Sequence, residues 1–354
     1  MPDRILIYGA TGYTGKLVAE AAKAKGFHPI LAGRNGAKVR SVAGQYGFES
    51  RTLELSDRSA LERALRDVDV VLHIAGPFSQ TSAPMVDACL KTKTHYLDIT
   101  GEIDVFEACA ARDAEAKAQG VMLLPGCGFD VVPSDCLIAH AKERMPDATS
   151  IEVGIAGLNS LSRGTAKTGV ESIGKGTMVR RGGKIVPAGK TPVRDFDYLN
   201  GNGPTKGVAV GWGDVSTGFH STGIDDITIY FEATPQMEQM ASLGPFMRFV
   251  LSTGPVQGFL KRRIDAQPEG PDEAQRAQSQ GILVAETRNA AGEMKRSRLT
   301  TPDGYTLTAQ TALEIVRRVM AGGAKPGFQT PSLAFGSDFI RDFEGCVMDD
   351  LNDV

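Results

Sequence analysis

Three glycines, Gly9, Gly12 and Gly15, fall at every third position directly behind the apolar run Ile5-Leu6-Ile7-Tyr8. A buried strand that turns through such a series into a helix, here running to Lys25, makes a cradle for phosphate. Gly9 allows the tight turn, Gly12 lets the backbone approach a pyrophosphate, and Gly15 lets the helix pack close on the strand. Thr11, Tyr13 and Thr14 complete the turn, where backbone N–H groups and the positive helix end face the ligand. The G-x-x-G-x-x-G spacing is one residue wider at the front than the common dinucleotide fingerprint, so context carries the reading. A strand precedes it, a helix follows it, and Pro29-Ile30-Leu31-Ala32 supplies the next parallel strand.

The end of that second strand selects the cofactor. An NAD site places an Asp or Glu there to accept from the ribose 2′-OH. Here the strand ends Ala32-Gly33-Arg34, without a carboxylate. A guanidinium pairs bidentately with a 2′-phosphate and stacks on the adenine, and Lys38 and Arg40 add charge nearby. NADP(H) is the expected cofactor. Ala75-Gly76-Pro77-Phe78, leaving a central strand at its carboxyl end, and Asp57 join the cofactor-binding candidates.

Titratable groups cluster beyond the next two strands: Tyr96, Asp98, Glu102, Cys127, Asp130 and Asp135. Hydride transfer needs a positioned electrophile and a proton donor or acceptor, so Tyr96, Asp98, Glu102 and Cys127 are the catalytic candidates. Asp130, with Arg163 and Lys167, is a candidate for holding substrate. Each carboxylate has a structural alternative. Asp98 and Glu102 fit caps of the following helix, Asp130 and Asp135 fit partners for turn amides, and Cys127 fits small buried filler.

The elements that must position these groups alternate. Strands expected at Arg51–Leu55, Val68–Ile74, His95–Ile99 and Val121–Leu124 are separated by helical stretches. Ser56 and Asp57 cap the helix Ala60–Arg66, and a helix runs from Gly101-Glu102 to about Ala118. The fold class is α/β: a Rossmann doubly wound parallel sheet plus a second α+β domain with a mostly antiparallel sheet. The domains read as 1–140, NADP-binding; 141–304, substrate and dimerisation; and 305–354, a segment returning to the first domain. In the second, strands are expected at Ser150–Ala156, Lys184–Val193, Val208–Trp212, Asp226–Glu232, Ile282–Arg288 and Met294–Leu299, and Thr308–Met320 reads as a helix.

Composition narrows the class. At 354 residues the chain predicts about two domains, and a net charge of −3 gives no footprint for nucleic acid. Five cysteines without C-x-x-C spacing indicate neither a disulfide framework nor a zinc site. Met1-Pro2-Asp3-Arg4 leads into the first strand without room for a signal peptide, so the expected location is cytoplasmic. Gly154 to Asp214 carries nine Lys/Arg against four acids, a local excess suited to an anionic substrate or to a solvated face. Leu243–Leu260 is rich in apolar residues and runs into Lys261-Arg262-Arg263. That segment fits a core or dimer helix, the mouth of an apolar pocket, or a peripheral membrane or lipid contact, with Gly254-Pro255 interrupting any single long helix. A homodimer is the expected assembly.

Several blocks together carry a family likeness: Gly9–Gly15, Ala75–Phe78, His95–Glu102, Gly128–Asp135, Ser162–Thr165, Gly174–Gly176, Val179–Arg181 and Lys325–Pro331. With them the chain resembles the saccharopine dehydrogenase-like oxidoreductases, including the bacterial branch called trans-acting enoyl reductases. The resemblance implies an NADP(H)-binding Rossmann domain, a second sheet-containing domain, and a C-terminal segment returning to the first. It implies hydride transfer to the C=C of an acyl or lipid-like substrate, or to the C=N of an amino-acid imine. A non-catalytic NADP(H)-binding sensor or scaffold is the reading of a different class.

Overall fold

The computed structural model describes residues 4–157, 162–201 and 203–351, so Met1-Pro2-Asp3 lies outside them. The strands, in chain order, begin with β1 (Ile5–Tyr8), β2 (Ile30–Gly33), β3 (Glu49–Thr52), β4 (Val70–His73), β5 (His95–Asp98) and β6 (Met122–Leu124). There follow β7 (Ala148–Ala156), β8 (Met178–Arg181), β9 (Lys184–Pro187), β10 (Val193–Phe196), β11 (Thr205–Val210) and β12 (Asp226–Glu232). The last are β13 (Gln280–Asn289), β14 (Met294–Pro302), β15 (Gly327–Phe328) and β16 (Val347–Leu351). The chain divides into two units, residues 1–132 with 305–334, and residues 133–304 with 335–354.

The first unit holds a seven-stranded sheet in the order β15-β6-β5-β4-β1-β2-β3. Every pairing in it is parallel. β1, β2 and β4 are buried along their whole length, as expected of parallel strands covered by helices on both faces. Leu6, Val71, Tyr96 and Leu123, one from each of four strands, share a single apolar core. The helices Tyr13–Ala24, Gly36–Tyr46, Arg58–Leu65 and Phe78–Thr92 follow β1 to β4 in turn. The order reverses between β1 and β4, which places ligand chemistry at the carboxyl ends of these strands. This is the Rossmann-like arrangement.

Sequence and structure differ at several boundaries. β3 begins two residues before the expected Arg51–Leu55, because its half-exposed edge carries little apolar pattern. The expected helix 101–118 is two, Ile103–Ala110 and Asp113–Gln119. The far helix runs Gly304–Arg318 and loosens into a wide turn at Val319–Gly323, where Gly322 has φ 88°.

The second unit is built on a nine-stranded mixed sheet ordered β10-β11-β12-β7-β13-β14-β16, with β8 on β12 and β9 on β8. β7 and β12 run parallel, and the other described pairs run antiparallel. Gly154 in β7 is required by packing: a Cβ there would stand 2.6 Å from the Phe196 ring and 2.8 Å from Tyr198. The stretch expected as one strand, Lys184–Val193, is two, broken around Gly189 at φ 71°. The apolar run 243–263 forms helices Pro245–Ser252 and Gly254–Asp265, separated at extended Thr253. It is not a core element of this chain: Phe249 is 66 % and Phe259 56 % exposed. The side chain of Phe246 lies outside the described residues, as does that of Lys175. No helix among the described residues is long and apolar enough to cross a membrane.

Candidate cofactor site and its carboxylate neighbours

The turn after β1 is held by backbone. Gly9 N–H donates to the Ala32 carbonyl at 2.9 Å and Gly12 N–H to the Gly9 carbonyl at 3.1 Å. Gly9 has φ 95°, and a Cβ on it would meet Ala75 N and Ile74 C at 2.8 Å. The turn therefore packs directly on the segment leaving β4. At Gly15 a Cβ would stand 2.4 Å from the Gly9 carbonyl, so the helix can approach its strand this closely only with glycine. Gly12 differs. A Cβ there would meet only the Gly9 carbonyl at 3.6 Å, an ordinary contact, so the fold itself leaves that position open.

Helix ends separate the cofactor turn from its neighbours. The helix Gly36–Tyr46 is capped by Asn35, whose side chain accepts the Lys38 N–H at 3.0 Å. Asp57 caps Arg58–Leu65, accepting the Ala60 N–H at 2.9 Å, the capping half of its expected role. Phe78–Thr92 takes its cap from a distant residue: the Glu102 carboxylate accepts the N–H groups of Phe78 and Ser79 at 2.7 and 2.9 Å. The helix beginning at Tyr13 has no side-chain cap on Gly12 and no acid in its first turn. Its positive end therefore suits an exogenous anion. A pyrophosphate fits this cradle on the chain's own geometry.

Arg34 is exposed just past β2, near enough to Tyr8 to act on its phenol electrostatically. Its place at the carboxyl end of β2 suits a 2′-phosphate. Ala75, Gly76, Pro77 and Phe78 form the exit from β4, with a cis peptide between Gly76 and Pro77. The Thr81 hydroxyl donates to the Ala75 carbonyl at 2.6 Å and fixes this turn. His73 Nε2 then donates to Thr81 Oγ1 at 2.9 Å, leaving Nδ1 as a buried acceptor with no partner. Burial pushes the His73 pKa down to about 3, so the ring is neutral where it stacks on Tyr8, 5.4 Å between centroids.

The catalytic candidates separate on inspection. Asp98 is fully buried and accepts from Tyr96 Oη at 2.6 Å, Thr100 N at 2.9 Å and Gly126 N at 3.0 Å. Burial raises its pKa to about 6 against the lowering effect of these donors. Tyr96 is buried with it, and its phenol is pushed well above its usual range. The pair ties β5 to the turn after β6. Cys127 is likewise buried, its Sγ 3.3 Å from the Leu124 carbonyl, and burial holds the thiol protonated. Glu102 begins the helix Ile103–Ala110 but does not cap it with its side chain, which is committed to Phe78 and Ser79.

Asp130, half-buried like Glu102, lies against Gly101, where a Cβ would come 3.2 Å from its Oδ2. Burial and the Glu102 charge raise its pKa to about 7. Residues from the far end of the chain complete this region. Thr308 Oγ1 accepts the Phe129 N–H at 2.9 Å, Thr311 Oγ1 donates to the Cys127 carbonyl at 2.8 Å, and Tyr305 packs edge-on against Tyr13. No local sequence signal points to these three.

The substrate candidates Arg163 and Lys167 belong to the second unit. Arg163 Nε donates to the Gln267 carbonyl, and Lys167 pairs with Asp265, each at 2.5 Å. Asp135, also there, accepts the Ser221 hydroxyl at 2.6 Å.

Fold and cradle together define a dinucleotide-binding protein of the doubly wound α/β class. Residues 5–124 match the saccharopine dehydrogenase NADP binding domain, and NADP(H) is the cofactor of this unit. The chain is similar to a trans-acting enoyl reductase of Mycobacterium leprae, 37 % identical over 156 residues, 41 % of this chain and 37 % of that protein. A trans-acting enoyl reductase of Mycobacterium ulcerans is 31 % identical over 154 residues, 40 % of this chain and 35 % of that protein. The chain thus spans little more than a third of the length of the curated relatives it matches. In fold it is similar to a saccharopine dehydrogenase (L-Glu forming) from Saccharomyces cerevisiae, with TM-score 0.67, 13 % identity, and coverage of 99 % of this chain and 100 % of that one.

Proposed function

We propose that the protein is an NADP(H)-dependent oxidoreductase that reduces the C=C bond of an acyl or lipid-like substrate. The observation that carries the reading is the uncapped, glycine-built helix end at Gly12–Tyr13, in a domain whose relatives are named enoyl reductases. Bound NADPH would supply the hydride. The backbone N–H groups around Gly12 would hold its pyrophosphate, Arg34 would meet the 2′-phosphate, and Ala75–Phe78 would lie toward the nicotinamide. Asp130 keeps a proton near neutral pH at the carboxyl end of β6 and is the group to give it to the carbon next to the one that takes the hydride. Tyr96 and Asp98 are positioning residues, holding the turn that carries Asp130.

Deuterium tests this directly. The purified chain is incubated with [4-²H]NADPH and a 2-enoyl thioester, or with an amino acid and an oxo acid that form an imine. Cofactor oxidation with the thioester, and deuterium in the saturated product, supports the proposal. Turnover only with the imine pair assigns the saccharopine-type reaction instead. Tight NADPH binding without turnover of either class returns a sensor or scaffold.

A further inference from the structure

The helix Gly254–Asp265 has two unlike faces. Gln257 donates to the Val170 carbonyl at 3.3 Å, Lys261 pairs with Glu171, and Asp265 pairs with Lys167. At 100° per residue these positions fall within one quarter of the helix circumference, facing the helix Arg163–Ser172. Phe259 lies on the opposite side, and Arg262 and Arg263 flank it. All three are exposed, and the Arg263 guanidinium stands 5.4 Å from the Phe259 ring centre. The apolar character continues along the chain: Met240, Met247 and Phe249 are 42 %, 46 % and 66 % exposed. The nearby acids Glu171 and Asp265 are engaged by Lys261 and Lys167, which leaves the outer face positive.

We propose that this outer face, centred on Phe259, Arg262 and Arg263, binds the surface of an anionic lipid bilayer. Exposed aromatic rings beside guanidinium groups suit the headgroup boundary, where the rings enter the acyl region and the cations meet lipid phosphates. A second copy of this chain is the poorer occupant, because a twofold interface through the patch would set the same arginines against one another. The overall charge of −3 gives no general attraction to anions, so the binding is local to the patch. The proposal stands independently of the substrate reading.

Flotation of the full chain with phosphatidylcholine vesicles, with and without phosphatidylglycerol, tests it. The parent is expected to float with phosphatidylglycerol vesicles and less so at high salt. Arg262→Glu with Arg263→Glu should weaken the association roughly tenfold or more. Phe259→Ser should weaken it while the thermal midpoint stays put, because that side chain is outside the core. Absence of flotation with the anionic vesicles, or undiminished flotation of the charge-reversed protein, overturns the proposal. A dimer in light scattering that Phe259→Asp dissociates also overturns it, giving the face to a second copy. Binding to an acidic protein without binding to vesicles overturns it in favour of that partner class.

Discussion

The Glu102 carboxylate accepts the Phe78 N–H at 2.7 Å across 24 residues of chain, so the loop after β5 closes the helix that begins after β4. It takes the Ser79 N–H as well, satisfying two N–H groups the helix leaves open. Glu102→Ala should lower unfolding free energy by about 1–3 kcal/mol, the worth of charge-assisted bonds at a helix end. Glu102→Gln should fall between it and the parent. NADPH affinity should fall alongside, because Ala75-Gly76-Pro77 leads into this cap. Chemical unfolding paired with cofactor titration checks both, and unchanged values in the alanine variant would remove the cap from the account.

Two glycines of the cradle should respond differently. Gly12→Val places a side chain where the fold has room and the phosphate must pass, so NADPH binding should disappear with little change in thermal midpoint. Gly15→Ala drives a methyl into the Gly9 carbonyl and should destabilise by about 1–3 kcal/mol. Cofactor fluorescence and thermal melts separate them. Matching melts with matching affinities would show that the turn is not the cradle.

Arg34→Asp should weaken NADPH about tenfold or more while leaving NADH unchanged or improved, since only NADPH carries the 2′-phosphate. Parallel titrations with the two cofactors decide it. An equal loss for both would deny Arg34 that role.

The two carboxyls with raised pKa values set a pH dependence of defined sign. Asp98 and Asp130 have folded pKa values raised to about 6 and about 7, above the usual carboxylate value near 4. Between about pH 4 and pH 7 the folded chain therefore binds more protons than the unfolded one, and this contribution to stability is lost as pH rises. Asp130→Asn should remove its share, so the variant gains on the parent from pH 4 to pH 7. In turnover, the parent should decline above about pH 7, and the variant should be slow at every pH. A parent-like activity profile in the variant would exclude Asp130 as the proton source.

His73 works in the other direction. Its folded pKa near 3 lies below the usual 6.5, so stability is lost as pH falls through that interval. His73→Gln keeps a side-chain donor for Thr81 and removes the titration. It should resist acid unfolding between pH 6.5 and pH 4 better than the parent, relative to their stabilities at pH 8. Equal acid sensitivity would place the parent's loss elsewhere.

Local patterns announced the parts of this structure that are local. Glycine spacing beside an apolar run marked the first turn, and Asp57 just ahead of its helix marked a cap. Unbroken apolar runs marked β1 and β4 because a strand buried on both faces has no polar side to show. β8 and β16 gave no such signal, being short and carrying Arg180-Arg181 and Asp349-Asp350. Glu102 was legible as a residue of interest, and its titratable neighbours were legible with it. That it would cap Phe78 rather than its own helix depends on β4 lying beside β5, which only the assembled sheet decides. Thr308 and Thr311 reach residues 179 and 184 positions away, a separation no local window spans.

β15 comes from residues 327–328 yet closes the sheet beside β6, which ends at residue 124. The cofactor-binding unit is thus assembled from two separate stretches of chain, with the other unit's main segment encoded between them. A clone stopped at residue 132 would release a sheet with one edge of Met122–Leu124, the side that pairs with β15, left open, and without the helix that holds Cys127 and Phe129. Such an edge invites pairing with other chains. For expression, fusion or domain grafting, the nucleotide half is not a cassette that two restriction sites can lift out; it becomes portable only by rejoining residue 132 to residue 305 through a designed bridge.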